Sequence, residues 1–182
     1  VRHGVRIGVR SPPLVSDLEA AMGAAWLLGV SADEIAARIE GFSPGPTRME
    51  VWRAPDGVTI INDAHSSDPI SVQAALRAAR GSGRRIFVFG GMRELGERES
   101  DEHALVGRLA AEQGFSHLIL VRQPALTHTA EAFQSADGAG EVTWVEDSTA
   151  IHAAVHRQAG PGDVVLVKGP RGEGLATAAR AI

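Results

Sequence analysis

Thr59-Ile60-Ile61-Asn62-Asp63-Ala64-His65-Ser66-Ser67-Asp68-Pro69 decides how this chain is read. Three residues that favour extended backbone run straight into polar, ionisable and hydroxylated side chains. The run closes on a proline placed to open a helix. This is the pattern of a buried strand delivering polar groups to a strand-to-helix turn, where open α/β sheets take up ligands. Asp68 before Pro69 is a helix start with a mechanism. The aspartate accepts from free N–H groups of the first turn, and proline has no N–H to leave orphaned. Read locally, the stretch fits a well-capped turn and nothing more just as well.

On its C-terminal side the same alternation repeats. Pro69 to Arg80 reads as a helix stopped by Gly81, and Arg85–Phe89 as a near-continuous apolar strand ending in Gly90-Gly91, the mark of a strand covered on both faces. A helix over 101–113 with Ser100 as its cap, a strand over 117–121, a helix over 125–135 and a short strand over 141–145 follow. A helix over 148–158, a strand over 163–168 and an alanine-rich helix from Gly174 complete the order. On the N-terminal side, Pro55-Asp56-Gly57 joins strands Met49–Trp52 and Val58–Ile61 into a hairpin. The predicted class is α/β, a Rossmann-like, mostly parallel, doubly wound sheet.

Ahead of the hairpin the pattern differs. Residues 2–9 alternate as a strand with nothing before them to pair with, so the chain is expected to begin inside a larger structure. Helices are predicted over 17–28, ending at Gly29, and over 31–39, where Ser31 and Glu34 have capping-box spacing. Gly41-Phe42-Ser43-Pro44-Gly45-Pro46 is a linker. A boundary is therefore placed between residues 1–46, the helical tail of a neighbouring domain, and residues 47–182.

Composition narrows the function classes. The 182 residues are 44% hydrophobic, enough for a core, with no apolar run near the ~20 residues of a membrane span. No signal peptide is evident, and without cysteine there are neither disulfides nor thiolate metal sites, so the cytoplasm is the expected compartment. A formal charge of -4 gives no reason to expect nucleic acid or an anionic membrane as partner. Of 18 lysines and arginines, Lys168 is the only lysine.

Parallel strands open their carboxyl ends on one edge, so four loops should converge. They carry Asn62, Asp63, His65 and Asp68; Gly90 to Gly96, with Arg93 and Glu94; Arg122-Gln123-Pro124; and Lys168-Gly169-Pro170-Arg171-Gly172. Glycine backbone and arginine forks suit phosphate or carboxylate. His152 and His156 have metal-compatible spacing but no evident third ligand, so no metal site is assigned. The acidic run Glu97, Glu99, Asp101 and Glu102 suits the positive end of the following helix. No P-loop G-x-x-x-x-G-K-[ST], G-x-S-x-G or H-E-x-x-H occurs.

Gly90-Gly91-Met92-Arg93-Glu94-Leu95-Gly96 followed by His103 resembles the G-x-M-x-E-L-G…H signature of the Mur ligase family, in the branch that adds D-alanyl-D-alanine. Pro46-Thr47-Arg48-Met49 is similar to its G-R-(M/L)-E element, Lys168-Gly169-Pro170-Arg171 to its K-G-S-R, and the opening stretch to its D-D-x-Y-N-A-N-P. The resemblance implies an ATP-dependent ligase that forms an acyl phosphate and passes it to an amine. ATP and Mg would be held mainly by a central domain that residues 1–46 only end. It further implies a UDP-muramoyl-peptide-like acceptor and an amino acid or dipeptide donor as partners, with the remaining domains of the same enzyme.

Carried over by motif, Arg48, Asn62 and Asp63 face the nucleotide, with Asp63 in a solvent-facing turn. His65, Asp68, Arg93, Glu94, Lys168 and Arg171 face the amine or the phosphoryl groups. The match departs at His65-Ser66-Ser67-Asp68, closer to the D-Y-A-H of sister ligases that add one amino acid, and at Pro13 and Asp17. D-alanyl-D-alanine is the expected amine donor, with a divergent Mur-type ligase of another pathway as the alternative within the family. A stand-alone nucleotide-binding module is the alternative from another class.

Overall fold

The computed structural model describes residues 12–137 and 140–182, so the strand expected over 2–9 lies outside the described residues. The chain divides into two compact units at Pro46–Thr47.

The first unit pairs α1 (Pro12–Leu27) with α2 (Ala32–Glu40). α1 begins five residues before the expected Asp17, because first-turn positions tolerate Pro12 and Pro13, whose missing N–H groups would have no partner there. Gly29, at φ 88°, turns the chain out of α1. Ser31 caps α2 by accepting from the Glu34 N–H at 3.2 Å, and Leu18, Ile35 and Ile39 are the buried apolar side chains of the pair.

The second unit is the Rossmann-like domain. Its strands are β1 (Glu50–Arg53), β2 (Thr59–Asp63), β3 (Arg85–Phe89), β4 (His117–Val121), β5 (Glu141–Val145) and β6 (Val164–Lys168). They form one sheet in the order β1-β2-β6-β3-β4-β5, with only the β1–β2 hairpin antiparallel. β1 starts at Glu50 and not at Met49, since Met49 has φ 52° and cannot continue a strand.

Helices α3 (Pro69–Ala78), α4 (Glu99–Glu112) and α5 (Leu126–Gln134) cover one face. α6 (Ile151–Gln158) and α7 (Leu175–Ala181) cover the other. Strand alternation sends Ile61, Phe87, Phe89, Leu118, Leu120 and Leu166 into the first core and Ile60, Ile86, Val88, Ile119, Val165 and Val167 into the second. Both faces being buried explains why these strands are continuous apolar runs.

Ser100 does not cap α4. A 3-10 turn over Gly96–Arg98 leads into the helix at Glu99, which places Ser100 inside the first turn. Glu99, Asp101 and Glu102 supply the negative charge that the helix N-terminus favours.

At the edge away from the strand carboxyl ends, Asp163 fastens the starts of β3 and β6. It accepts from the N–H of Arg84 at 2.9 Å, the Arg84 guanidinium at 2.8 Å and the N–H of Gly160 at 3.0 Å. Burial alone would raise its carboxyl, but these donors hold it below the usual carboxylate range. Its stabilising contribution is thus present above the unfolded value of about 3.9 and lost as pH falls through the depressed folded value. Acid unfolding followed by circular dichroism should show Asp163→Asn losing part of the wild-type decline in stability below about pH 4. An unaltered acid limb would detach Asp163 from this role.

Close approach of α4 to α5 depends on Gly107. A Cβ there would lie 2.2 Å from the Thr129 carbonyl oxygen and 2.9 Å from the Phe133 nitrogen. Gly107→Ala gains about 1 kcal/mol of helix propensity yet forces backbone apart at about 1–3 kcal/mol. Urea denaturation should therefore find it less stable than wild type, and equal or greater stability would contradict this packing.

Candidate functional site

Register brings the site together. β6 lies between β2 and β3, and Lys168 is paired across the sheet with Asp63 on one side and Phe89 on the other. Three loops therefore leave the sheet at one level: 64–68 after β2, 90–96 after β3 and 169–174 after β6.

At the base of these loops is one ion pair. Lys168 is 1% exposed, and its ammonium donates to Asp63 Oδ2 at 2.6 Å and to the Ser66 carbonyl at 2.9 Å. The other Asp63 oxygen, Oδ1, accepts from the Met49 N–H at 3.0 Å. Asp63 is thus not in the solvent-facing turn expected of it. Both carboxylate oxygens are engaged inside the protein because β6, 105 residues further on, is its neighbour in the sheet. Burial pushes the Asp63 carboxyl up, while the Lys168 charge and hydrogen bond and the Met49 N–H pull it down; burial prevails.

Above the pair, Thr47-Arg48-Met49 is bent by two residues with positive φ, 65° at Thr47 and 52° at Met49. A β-branched threonine in that region is strained, and such strain persists only where the surroundings impose it. Here they do. Asp63 holds the Met49 N–H, and Glu50 Oε2 accepts from the Thr47 N–H at 3.2 Å while being held by Arg180. Arg48, between the two bent residues, is presented to His65, with Nη2 2.6 Å from Nε2.

Arg171 approaches the same imidazole from the loop after β6, with Nη2 2.8 Å from Nε2. The same Arg171 nitrogen is 3.3 Å from Nδ1, so it lies across both ring nitrogens. Guanidinium groups only donate, and the shortest contact, from Arg48, is to Nε2 alone, which assigns Nε2 as the acceptor and leaves the hydrogen on Nδ1, itself 3.4 Å from Thr47 Oγ1. Burial first, then the Arg48 and Arg171 charges, lower the His65 pKa.

The remaining expected residues lie in β2 and in the loops after β2 and β3. Asn62 is fully buried; its Oδ1 accepts from the Ala64 N–H at 3.2 Å, while its Nδ2 has no partner, as is also true of Ser67 Oγ. Asp68 caps α3 in a reciprocal box with Ser71, accepting from the Ser71 N–H at 3.0 Å. Partial burial would raise its carboxyl, but the Ser71 side chain and N–H lower it.

Arg93 reaches across to pair with Glu173 in the loop after β6. Glu94 has φ 62° and an exposed side chain, with no contact to the Asp63–Lys168 pair or to His65. Below it, buried His103 donates from Nδ1 to the Glu99 carbonyl at 2.8 Å and accepts from the Met92 N–H at 3.2 Å, and Gln123 donates to the Gly90 carbonyl at 2.6 Å.

The contributions of Thr47, Glu173 and the Ser66 carbonyl were not apparent in the sequence. A carbonyl carries no side-chain signal, and Glu173 resembles any exposed loop acid. Only the proximity of Thr47 to Arg48 could have drawn attention to it.

Fold and site together define a Rossmann-like domain whose strand carboxyl ends carry a cation-rich corner. The chain belongs to the Mur ligase family: residues 47–171 match the model described as "Mur ligase, glutamate ligase domain". It is similar to the UDP-N-acetylmuramoyl-tripeptide–D-alanyl-D-alanine ligase of Mycobacterium tuberculosis, at 34% identity over 98% of this chain and 39% of that protein. Among solved structures it resembles the MurF ligase of Thermotoga maritima in complex with ADP, with a TM-score of 0.76, 22% identity and coverage of 94% of this chain and 38% of that one. MurF of Acinetobacter baumannii is similar at a TM-score of 0.77, 24% identity and coverage of 96% and 38%. The chain thus spans about two fifths of the length of these relatives.

Breaking a buried pair by removing one partner strands the other charge, at about 3–5 kcal/mol. Lys168→Met and Asp63→Ala should each lower the unfolding free energy measured in urea by an amount of that order. The double variant should be clearly more stable than the sum of the two losses predicts, since neither charge is left alone. Additive losses would mean that the pair is not coupled.

Proposed function

We propose that this chain is the C-terminal portion of an ATP-dependent, amide-forming Mur-type ligase that acts in the cytoplasm on a UDP-muramoyl-peptide, with D-alanyl-D-alanine as the amine donor. One observation carries the reading: Arg48, His65, Arg171 and the Asp63–Lys168 pair converge at the carboxyl edge of β2 and β6, inside a domain of this family. In such an enzyme ATP phosphorylates the acceptor carboxylate, and the amine attacks the acyl phosphate to give an amide, ADP and phosphate. The donor is favoured by the 34% identity to a ligase named for adding D-alanyl-D-alanine. Residues 1–46 are then the end of the central domain, and residues 47–182 the domain that closes on the nucleotide.

The residues present fit part of that task. Two guanidiniums suit anionic oxygens, and the unpartnered buried amide of Asn62 suits an acceptor such as a ribose hydroxyl. Among the described residues no group of three or more His, Asp or Glu side chains could hold a metal, and the sequence has no P-loop. Mg and most of the triphosphate are therefore assigned to the rest of the enzyme. Within this domain Arg48 and Arg171 meet negative charge, while Asp63 and Lys168 fix the loops that present them. Arg93 and Glu94 flank the amine side.

The reading is tested by joining these residues to the rest of their coding sequence. Phosphate release that requires ATP, UDP-muramoyl-tripeptide and D-alanyl-D-alanine together is expected, with none from the 182 residues alone. In the joined enzyme Arg48→Ala should raise the KM for ATP by about tenfold, the loss of one charge-assisted hydrogen bond, with a smaller change in kcat. Ligation by the isolated chain, or an unchanged KM, would contradict the proposal. Tight ADP binding by the isolated chain in calorimetry would favour a stand-alone nucleotide-binding module instead.

A further inference from the structure

His65 has more donors than its acceptor can satisfy. Arg171 Nη2 lies 3.3 Å from Nδ1 and 2.8 Å from Nε2, and Arg48 Nη2 lies 2.6 Å from Nε2. A neutral imidazole offers a single in-plane lone pair there, which the two guanidiniums must share. The charged groups facing the ring are Arg48, Arg171, Lys168 and Asp63, and both Asp63 oxygens are already engaged, by Lys168 and by the Met49 N–H. Two guanidinium charges are left with one uncharged acceptor between them.

We propose that Arg48 and Arg171 form a site for a single oxyanion, of a phosphate or a carboxylate, and that the His65 imidazole occupies it as an internal stand-in which the anion displaces. A phosphate or carboxylate brings negative charge and several lone pairs, and so satisfies two forks where one imidazole nitrogen cannot. The ring is able to leave, since His65 is only partly buried and its contacts at Nδ1 are long, 3.4 Å to Thr47 Oγ1 and 3.3 Å to Arg171 Nη2. The strained segment around Arg48 and the short tether from Lys168 to Arg171 keep the two cations in place when the ring departs. Its lowered pKa, due to burial and then to Arg48, Arg171 and Lys168 against Asp63, agrees with a ring held among cations. Acid opens the site as well, because a protonated ring has no lone pair left for either arginine. The identity of the anion rests on the proposed function; the displacement does not.

Imidazole nitrogen chemical shifts of the 182-residue chain test this directly, titrated at constant ionic strength with sodium pyrophosphate, ADP or D-alanyl-D-alanine. Without anion, His65 should be the Nδ1–H tautomer with a pKa below the ordinary value of about 6.5, and Arg48→Gln or Arg171→Gln should raise it. Saturation with pyrophosphate should raise the pKa as the ring leaves two cations. His65→Ala, and equally His65→Asn, should bind pyrophosphate about three- to tenfold more tightly, because the internal competitor is gone.

The arms identify the source: a response to ADP assigns the site to phosphate, and a response to D-alanyl-D-alanine alone assigns it to carboxylate. Pyrophosphate that moves His65 while ADP does not bind upholds the site and overturns the nucleotide reading. ADP that binds with the His65 signals unmoved does the reverse. No binding of any of the three anions, or no gain in affinity in either His65 variant, overturns the proposal.

Discussion

The buried contact between Lys168 and Asp63 is the constraint on which the rest of the site depends. An ammonium and a carboxylate taken out of water are tolerated only when their remaining hydrogen-bonding capacity is met. Here the Ser66 carbonyl takes a second lysine hydrogen, and the Met49 N–H takes the second carboxylate oxygen. Each of these requirements fixes backbone that bears a neighbouring functional group: Ser66 follows His65, and Met49 follows Arg48. Lysine suits the position where arginine would not. A compact ammonium fits between a carboxylate and a carbonyl at the end of a central strand, whereas a planar guanidinium has five hydrogens to satisfy. That is a physical reason for the only lysine in the chain to stand here.

Much of the fold was legible in the sequence, because each element carries its own punctuation. Phe87 to Phe89 and Val164 to Val167 read as strands covered on both faces, and Asp68-Pro69 reads as a helix start, since in both cases the deciding forces are local to the segment. Element ends were less secure. α1 starts at Pro12 and α4 at Glu99 because prolines and acidic residues are tolerated in first turns, so a helix can begin ahead of its expected first residue, Asp17, or of its nominal cap, Ser100.

Strand order was not legible at all. Nothing in Val164–Lys168 says that it lies between β2 and β3. Because Asp63 and Lys168 are 105 residues apart, the expectation that Asp63 faces solvent had no means of anticipating its partner. The site was therefore readable as a set of loops but not as a set of contacts. Likewise, neither threonine nor methionine advertises a positive φ, so the bend that presents Arg48 is imposed by tertiary bonds to Asp63 and Glu50 and has no signature in the residues themselves.

These contacts tie stability to the proposed anion binding at this corner. Positive φ at Thr47 and Met49 costs of order 1–3 kcal/mol each, and charges gathered at one place repel. Asp63 offsets part of both, holding Met49 in its bent conformation and neutralising Lys168, while Glu50 holds Thr47. What Asp63 does not neutralise is the pair of guanidiniums above it, and the uncharged His65 lies between those two. A second carboxylate in place of His65 would stabilise the empty domain more, but it would also compete with any incoming anion far more strongly than a neutral ring does. On the proposed reading, a weak internal acceptor between two fixed cations is the arrangement that leaves the domain foldable when empty and still receptive to negative charge.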